Sequence, residues 1–186
     1  MLRHQPSLRT DRLRLRPFIA EDAPAIEDLA GTREVADSSI SITHPYSLAA
    51  AKAWIAGLPH FFRTGTALHF AATLQSSDEL IGSVSLSDID THNAHAELAF
   101  WVGVPWWRSG YAMEAAREIA RFGFVELSLN RIYARRLARD AASGDLLRKL
   151  GMRREGVLRQ AVRKGDVFED VVLHAILREK ARVAAA

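Results

Sequence analysis

The chain has 186 residues, of which 48% are hydrophobic and 25% charged, a mixture typical of one globular domain. The lack of cysteine excludes disulfides, thiolate metal ligands and a cysteine nucleophile, and it favours a cytoplasmic protein. The net charge is only +3, no apolar run reaches the roughly twenty residues of a membrane span, and the N-terminal stretch is too polar for a secretory signal.

The spacing of apolar residues predicts secondary-structure elements in the order β-α-α-β-β-β-α-β-α-β-β. Strands are expected where apolar and polar residues alternate or where β-prone runs lie between turns, and helices where apolar residues recur every three or four positions. In chain order we predict a strand over 8–18, helices over 21–30 and 48–62, strands over 67–74, 80–86 and 96–102, a helix over 109–127, a strand over 131–138, a helix over 141–150, and strands over 157–162 and 167–177.

Capping residues mark several of these boundaries. Ser47 is expected to cap the second helix, and Pro59 to kink or shorten it. Gly151 is the usual type of residue after the end of a helix. The last residues, 179–186, are expected to form a frayed tail.

The element order predicts the fold class. A three-strand meander followed by β-α-β favours an α/β (α+β) fold, with one mixed, mostly antiparallel sheet of about seven strands and helices on both faces. No internal repeat, low-complexity segment or linker divides the chain. We therefore expect a single domain over residues 1–186, with its core at about 8–178.

The segment Arg108–Ala112 joins an apolar, β-prone run to the longest predicted helix. Backbone N–H groups at a helix start have no partner inside the helix, and with the helix dipole they make a site for an anion, usually phosphate. Gly110 lets a ligand approach the backbone closely. The alternative is an ordinary strand-to-helix turn, and this segment alone does not decide between the two.

Three stretches, together with the element order, resemble the GNAT superfamily of acetyl-CoA-dependent N-acetyltransferases, in particular the branch of the ribosomal-protein-alanine N-acetyltransferases. Residues 96–102 resemble the acidic fourth strand of that family, 106–115 its pyrophosphate loop and following helix, and 143–152 the helix after its fifth strand. The opening strand over 8–16 also resembles the start of that branch. The resemblance therefore covers nearly the whole chain.

The resemblance implies where acetyl-CoA binds. The pantetheine arm is expected along residues 96–102, in a gap where this strand and the next one splay apart. Backbone N–H groups there would hold the thioester carbonyl, and those of the pyrophosphate loop would hold the diphosphate. The coenzyme-binding residues implied are Phe100, Trp101, Val102, Trp107, Arg108, Ser109, Gly110, Tyr111, Ala112, Asp140 and Ser143.

Two positions depart from the family pattern. Trp107 and Arg108 stand where the family commonly has Gln or Arg and a glycine. The β-carbon of Arg108 restricts the backbone, whereas its guanidinium can give charge to a phosphate. Asp140 stands where the family often has Asn, and a carboxylate cannot donate an amide hydrogen bond to the coenzyme.

The resemblance also suggests the catalytic residues. Glu97 is the candidate general base, direct or through water, because a carboxylate partly removed from solvent can take a proton near neutral pH; the alternative is a surface glutamate. Ser143 is the candidate hydrogen-bond donor to the leaving sulfur, and the alternative is a helix N-cap. The candidate acceptor-side residues are His44, Tyr46, His69 and Trp101, although tryptophans are more often core or interface residues.

We therefore predict an enzyme that transfers acetyl from acetyl-CoA to a primary amine in a ternary complex. The acceptor is a protein or peptide N-terminal α-amino group, or a small-molecule amine. The alternative is a non-catalytic coenzyme-A-binding or ribosome-associated module.

His92 and His95 are too few for a metal site, so no metal is expected. The arginines over 131–154 are interpreted as a solvated surface rather than a nucleic-acid site, no membrane partner is expected, and a homodimer stays open.

Overall fold

The computed structural model describes residues 4–179 and contains eight strands and five α-helices within that range. The strands are β1 (Leu8–Arg9), β2 (Leu13–Pro17), β3 (Leu68–Leu74), β4 (Leu80–Asp90), β5 (His95–Val102), β6 (Arg131–Leu137), β7 (Arg153–Lys164) and β8 (Val167–Leu177). The helices are α1 (Ala23–Ala30), α2 (Arg33–Ser38), α3 (Leu48–Thr64), α4 (Tyr111–Val125) and α5 (Ala141–Lys149).

All eight strands lie in one sheet with the order β1-β2-β3-β4-β5-β6-β8-β7. Every neighbouring pair is antiparallel except β5 and β6, which are parallel. Their ladder is short and joins His95–Glu97 to Arg131–Tyr133. Beyond Glu97, β5 continues along β4 and β6 continues along β8. The two parallel strands therefore diverge, and a gap opens in the middle of the sheet.

Helices cover both faces of this sheet, as the sequence predicted. On one face, α4 buries Ile119 and Phe122 against Phe70, Leu86 and other apolar residues of the central strands. On the opposite face, α1, α2 and α3 form a second core that includes Ile26, Val35 and Ile55. No helix among residues 4–179 is both long and apolar enough to cross a membrane.

Alternation along β5 decides which side chains face each core. Ala96 and Leu98 belong to the core under α4, whereas Trp101 packs against the core under α1–α3. Glu97 has the same parity as Trp101, so it faces the α1–α3 side, opposite Ser87 of β4. This face of the sheet carries the candidate site.

Several boundaries differ from the sequence prediction. The strand predicted over 8–18 is split into β1 and β2, because a turn at residues 10–12 reverses the chain and the Thr10 amide donates to the Leu13 carbonyl at 3.0 Å. A short helix, α2, starts before the stretch 36–46, which the sequence predicted as irregular throughout. Helix α3 continues through Pro59 to Thr64, so Pro59 does not shorten it. The predicted tail over 179–186 lies almost wholly outside the described residues.

Candidate active site

A cavity of about 420 Å³ opens beside the point where β5 and β6 diverge. It is lined by the sheet, by α5, and by the chain between α2 and α3. The lining residues that matter below are His69, Ser83, Ser85, Glu97, Phe100, Trp101, Arg135, Ser143, Ser38–Ile42, Tyr46 and Trp54. The structure therefore brings the predicted catalytic residues, Glu97 and Ser143, to one cavity together with Tyr46, His69 and Trp101.

His44 is the predicted acceptor-side residue that does not line this cavity. Its side chain is exposed, and its Nδ1 lies 2.8 Å from the Gly31 carbonyl oxygen. The contact fixes the chain before α3 to the end of α1. His44 is therefore the one candidate acceptor-side residue that the structure does not bring to the cavity.

Glu97 is buried and paired with Arg135 of the neighbouring strand. Only 7% of Glu97 is exposed. Its two carboxylate oxygens accept from Arg135 Nε at 2.7 Å and from the terminal guanidinium nitrogen at 2.6 Å. This hydrogen bonding raises the pKa of Arg135, so the guanidinium stays charged. The surface-glutamate alternative is wrong, and the sequence did not predict the arginine partner.

Tyr133 lies on the same strand as Arg135 and is held in its neutral form. Burial raises the pKa of Tyr133 to about 12, and the negative charges of Glu97 and Asp88 add to the effect. Its hydroxyl donates to Asp88 at 3.3 Å. The phenol beside the Glu97–Arg135 pair is therefore a hydrogen-bond donor, not a base, at neutral pH.

The predicted pyrophosphate loop adopts left-handed backbone conformations at two positions. Arg108 has φ 60° and Gly110 has φ 82°. The loop starts where Trp107 Nε1 donates to the Val102 carbonyl at 2.6 Å. Arg108 therefore takes up a conformation that a glycine adopts freely, and its β-carbon costs about 1–2 kcal/mol there.

Helix α4 begins at Tyr111 rather than at the predicted Ser109. The amide of Glu114 donates to the Gly110 carbonyl at 3.0 Å and makes the first helical hydrogen bond. The amides of Tyr111, Ala112 and Met113 have no acceptor inside the helix. They form the end of a 15-residue helix whose dipole favours a negative group.

Arg12, in the turn between β1 and β2, supports this loop from a distant part of the sequence. Its Nε donates to Glu114 at 2.7 Å, and a terminal nitrogen donates to the Ser109 carbonyl at 3.0 Å. Its guanidinium carbon lies 4.3 Å from the centre of the Tyr111 ring. Burial alone would raise the pKa of Glu114, but hydrogen bonds from Thr10 and Arg12 outweigh it and lower that pKa. Glu114 therefore stays ionised and fixes the start of α4.

No local pattern in the sequence indicates the role of Arg12. The prediction of one continuous strand over 8–18 contains no turn at this residue, and the contact with Glu114 spans 102 residues.

Helix α5 starts at Ala141, as the sequence predicted, and the structure shows which residue caps it. Asp140 is the N-cap, because its carboxylate accepts from the Ser143 amide at 3.1 Å. The N-cap alternative for Ser143 is therefore wrong, and Ser143 lies in the first turn beside the cavity. Arg136 braces the preceding loop by donating to the carbonyls of Leu137, Ala138 and Asp140 at 3.0–3.1 Å.

His69 is a neutral side chain at the acceptor side of the cavity. Burial lowers its pKa to about 4, so the imidazole carries no charge at neutral pH. Its ring meets the Trp54 ring edge to face, with 5.6 Å between the centroids. His69 is neutral and the charge of Glu97 is balanced by Arg135, so these groups add little net charge to the cavity.

The comparisons with known proteins agree with this geometry. The family model described as acetyltransferase (GNAT) domain matches residues 12–153. The chain belongs to the GNAT acetyltransferase family. It is therefore an acetyl-CoA-dependent N-acetyltransferase, and the sequence predictions of family, fold class and acetyl donor are confirmed.

Three relatives illustrate the range of this GNAT enzyme's similarity. It is 30% identical over 174 residues to the N-acetyltransferase p20 of Bacillus licheniformis, which covers 94% of this chain and 97% of that protein. It is 28% identical over 117 residues to the ribosomal protein uS5-alanine N-acetyltransferase of Escherichia coli (strain K12), which covers 62% of this chain and 60% of that protein. It superposes with a TM-score of 0.84 on RimL, a ribosomal L7/L12 alpha-N-protein acetyltransferase in complex with coenzyme A. The sequence identity is 18%, and the superposition covers 92% of this chain and 98% of that chain. The likeness to RimL is one of fold.

The residues of the GNAT enzyme fit the coenzyme that its family uses. The gap between β5 and β6 gives a path through the sheet for a narrow arm. The amides at the start of α4 suit a diphosphate. Among residues 4–179, no group of three or more His, Asp or Glu side chains is arranged to hold a metal ion.

We expect Arg108→Gly to raise the free energy of unfolding by up to about 1 kcal/mol. Glycine removes the left-handed penalty but also adds freedom to the unfolded chain, so only part of the penalty is recovered. Urea denaturation of the ligand-free enzyme measures the change. Arg108→Ala is the control, since it removes the guanidinium but keeps the β-carbon; a gain in both variants would trace the effect to charge instead.

We expect His69 to make the enzyme about 2 kcal/mol less stable at about pH 5 than at about pH 7. The unfolded histidine binds a proton below its ordinary pKa of 6.5, whereas the folded one stays neutral until about 4. Stability from this group is therefore complete above that ordinary pKa and is lost as the pH falls.

The measurement compares urea unfolding of the wild type and His69→Gln at both pH values. The variant should lose most of that difference, while the exposed His60→Gln should keep it. An unchanged pH dependence in His69→Gln would show that the buried imidazole is not its source.

Proposed function

We propose that this enzyme transfers acetyl to the α-amino group of a protein or peptide by direct attack in a ternary complex. The observation that carries the proposal is the gap between β5 and β6 with a cavity beside it that is lined by Glu97 and Ser143. Because the chain has no cysteine, it has no thiol to carry the acetyl group. The proposal places the reaction in the cytoplasm, where ribosomal proteins are made.

The residues proposed to hold acetyl-CoA lie on both sides of the gap. Amides from Arg108 to Ala112 would bind the diphosphate, with added charge from the Arg108 guanidinium. Backbone groups of Phe100, Trp101 and Val102 line the diverging half of β5 and would hold the acyl end. When bound, the coenzyme supplies the activated thioester.

Glu97 is proposed as the proton acceptor for the amine, acting directly or through a water. The pairing with Arg135 leaves part of the acceptor capacity of the carboxylate unused, because a carboxylate has about four lone-pair sites and the guanidinium uses two. Arg135 fixes the orientation of the carboxylate. Glu97 lines the cavity, so its remaining acceptor sites are available to an amine or a water there.

Ser143 is proposed to donate a hydrogen bond to the departing sulfur. Its place in the first turn of α5 is fixed by the Asp140 cap and by Arg136 beneath the loop. Asp140 therefore acts through the backbone of α5, and the coenzyme contact expected of an Asn at this position is replaced by a structural one. Trp107 similarly acts on the loop from its contact with Val102.

The acceptor is proposed to enter beside Tyr46, His69 and Trp101. This wall is aromatic and carries little net charge, which suits an N-terminal residue with a small neutral side chain. The two relatives named above are described as a ribosomal-protein alanine N-acetyltransferase and a ribosomal alpha-N-protein acetyltransferase, and these descriptions support a protein amino group as the acceptor here. A small-molecule amine of similar size is the other candidate acceptor.

We expect Glu97→Gln to lower kcat at least about 100-fold at neutral pH while changing the affinity for acetyl-CoA less than about twofold. The amide cannot accept the amine proton. Thiol release is followed with peptides that begin with alanine or serine and with a panel of small amines, and the pH profile is recorded. Glu155→Gln is the matched control, because Glu155 is also paired with an arginine, Arg131, but lies elsewhere. A rate unchanged across the pH range would remove Glu97 from the base role.

We expect Gly110→Val to weaken acetyl-CoA binding at least about tenfold, because a branched residue at a left-handed position distorts the loop. Gly65→Val is the control, since Gly65 has φ 71° at the end of α3, outside the site. Calorimetry measures the affinity. Equal affinity in Gly110→Val and wild type would mean that the loop does not hold the diphosphate.

A further inference from the structure

Lys164, the last residue of β7, reaches from the tip of the β7–β8 hairpin to α2 and to the chain that follows it. Its ammonium donates to the Ala36 carbonyl at 2.9 Å and to the Ile42 carbonyl at 2.7 Å. Ala36 lies in α2, just before the segment Ser38–Ile42 that lines the cavity, and Ile42 is the last residue of that segment. One side chain therefore joins the hairpin to the chain on both sides of residues 38–41, which form a wall of the cavity.

The segment itself has little regular structure. Ser39 supports it locally, because its hydroxyl oxygen accepts from the amides of Ser41 and Ile42 at 3.2 and 3.1 Å. These bonds shape a turn but do not attach it to the sheet. The contacts of Lys164 supply an attachment that crosses more than a hundred residues of sequence.

The surroundings of Lys164 are consistent with a structural cation. Burial lowers the pKa of Lys164, while the negative charges of Asp37 and Glu169 act in the opposite direction. Glu169 is itself held by Arg139, whose Nε donates to it at 2.7 Å. The ammonium has three donors, and two of them meet backbone carbonyls. Such a group is costly to bury unless these bonds form.

We propose that Lys164 is a positioning residue for the acceptor side of the active site. It ties the β7–β8 hairpin to residues 38–42 and keeps that segment closed against β4 and β5. That the cavity receives the acceptor rests on the proposed function. The attachment of residues 38–42 by Lys164 does not rest on it, and it can be tested in the ligand-free enzyme.

The first measurement is amide hydrogen exchange by mass spectrometry on the full chain. In Lys164→Met, which keeps most of the side-chain length but removes the donors, exchange over residues 37–46 should speed up at least about tenfold, with α4 unchanged. Lys164→Arg keeps a cation and should restore most of the protection. The exposed Lys52→Met is the control and should behave as wild type. Unchanged exchange over 37–46 in Lys164→Met would overturn the proposal.

The second measurement separates positioning from stability. With an acceptor that is turned over, Lys164→Met should raise the acceptor KM at least about fivefold and leave the acetyl-CoA affinity within about twofold. Faster exchange with an unchanged acceptor KM would also overturn the positioning role. If no amine is turned over, the exchange result still decides whether the tie exists, so failure of the proposed function is distinguishable from failure of this inference.

Discussion

The short ladder between β5 and β6 is the constraint on which the rest of the structure depends. Three residue pairs hold the parallel strands together at His95–Glu97, and beyond them each strand follows a different neighbour. Backbone groups on the diverging edges then lack strand partners, although such groups are costly to leave unpaired when buried. The proposed function places the coenzyme in this opening, which would make an incomplete sheet the basis of binding.

Charge in the site is arranged in pairs around that opening. Glu97, at the last rung of the ladder, is neutralised by Arg135, and the loop before α4 is steadied by Arg12 and Glu114. The neutral His69 adds no charge at physiological pH. Each pair fixes the direction of a functional group rather than adding much stability, because the arginine side chains of both pairs are exposed and such ion pairs contribute little.

The sequence allowed the fold class, the order of most elements and the turn before α4 to be predicted, because apolar spacing and the glycine-containing segment before α4 are local signals; the role of that turn in binding the coenzyme stays a prediction. The partners of Glu97, Glu114 and residues 38–42 could not be predicted. Alternation tells which face a side chain occupies, but not which strand lies beside it. Arg135 was grouped with a solvated surface, and its role follows only from the neighbourhood of β5 and β6. The cap at Asp140 was missed because a serine three residues later was an equally good local candidate.

The contact between Arg12 and Glu114 has a consequence for how such chains diversify. The two residues are 102 positions apart in the sequence, yet Glu114 accepts hydrogen bonds from Thr10 and from the backbone and side chain of Arg12, and Arg12 also donates to the Ser109 carbonyl of the loop before α4. A lineage that exchanged the glutamate would leave an arginine facing a loop carbonyl without its counter-ion. Substitutions at Arg12 and Glu114 should therefore occur together among related sequences, because replacing both residues is tolerated where replacing one alone is not.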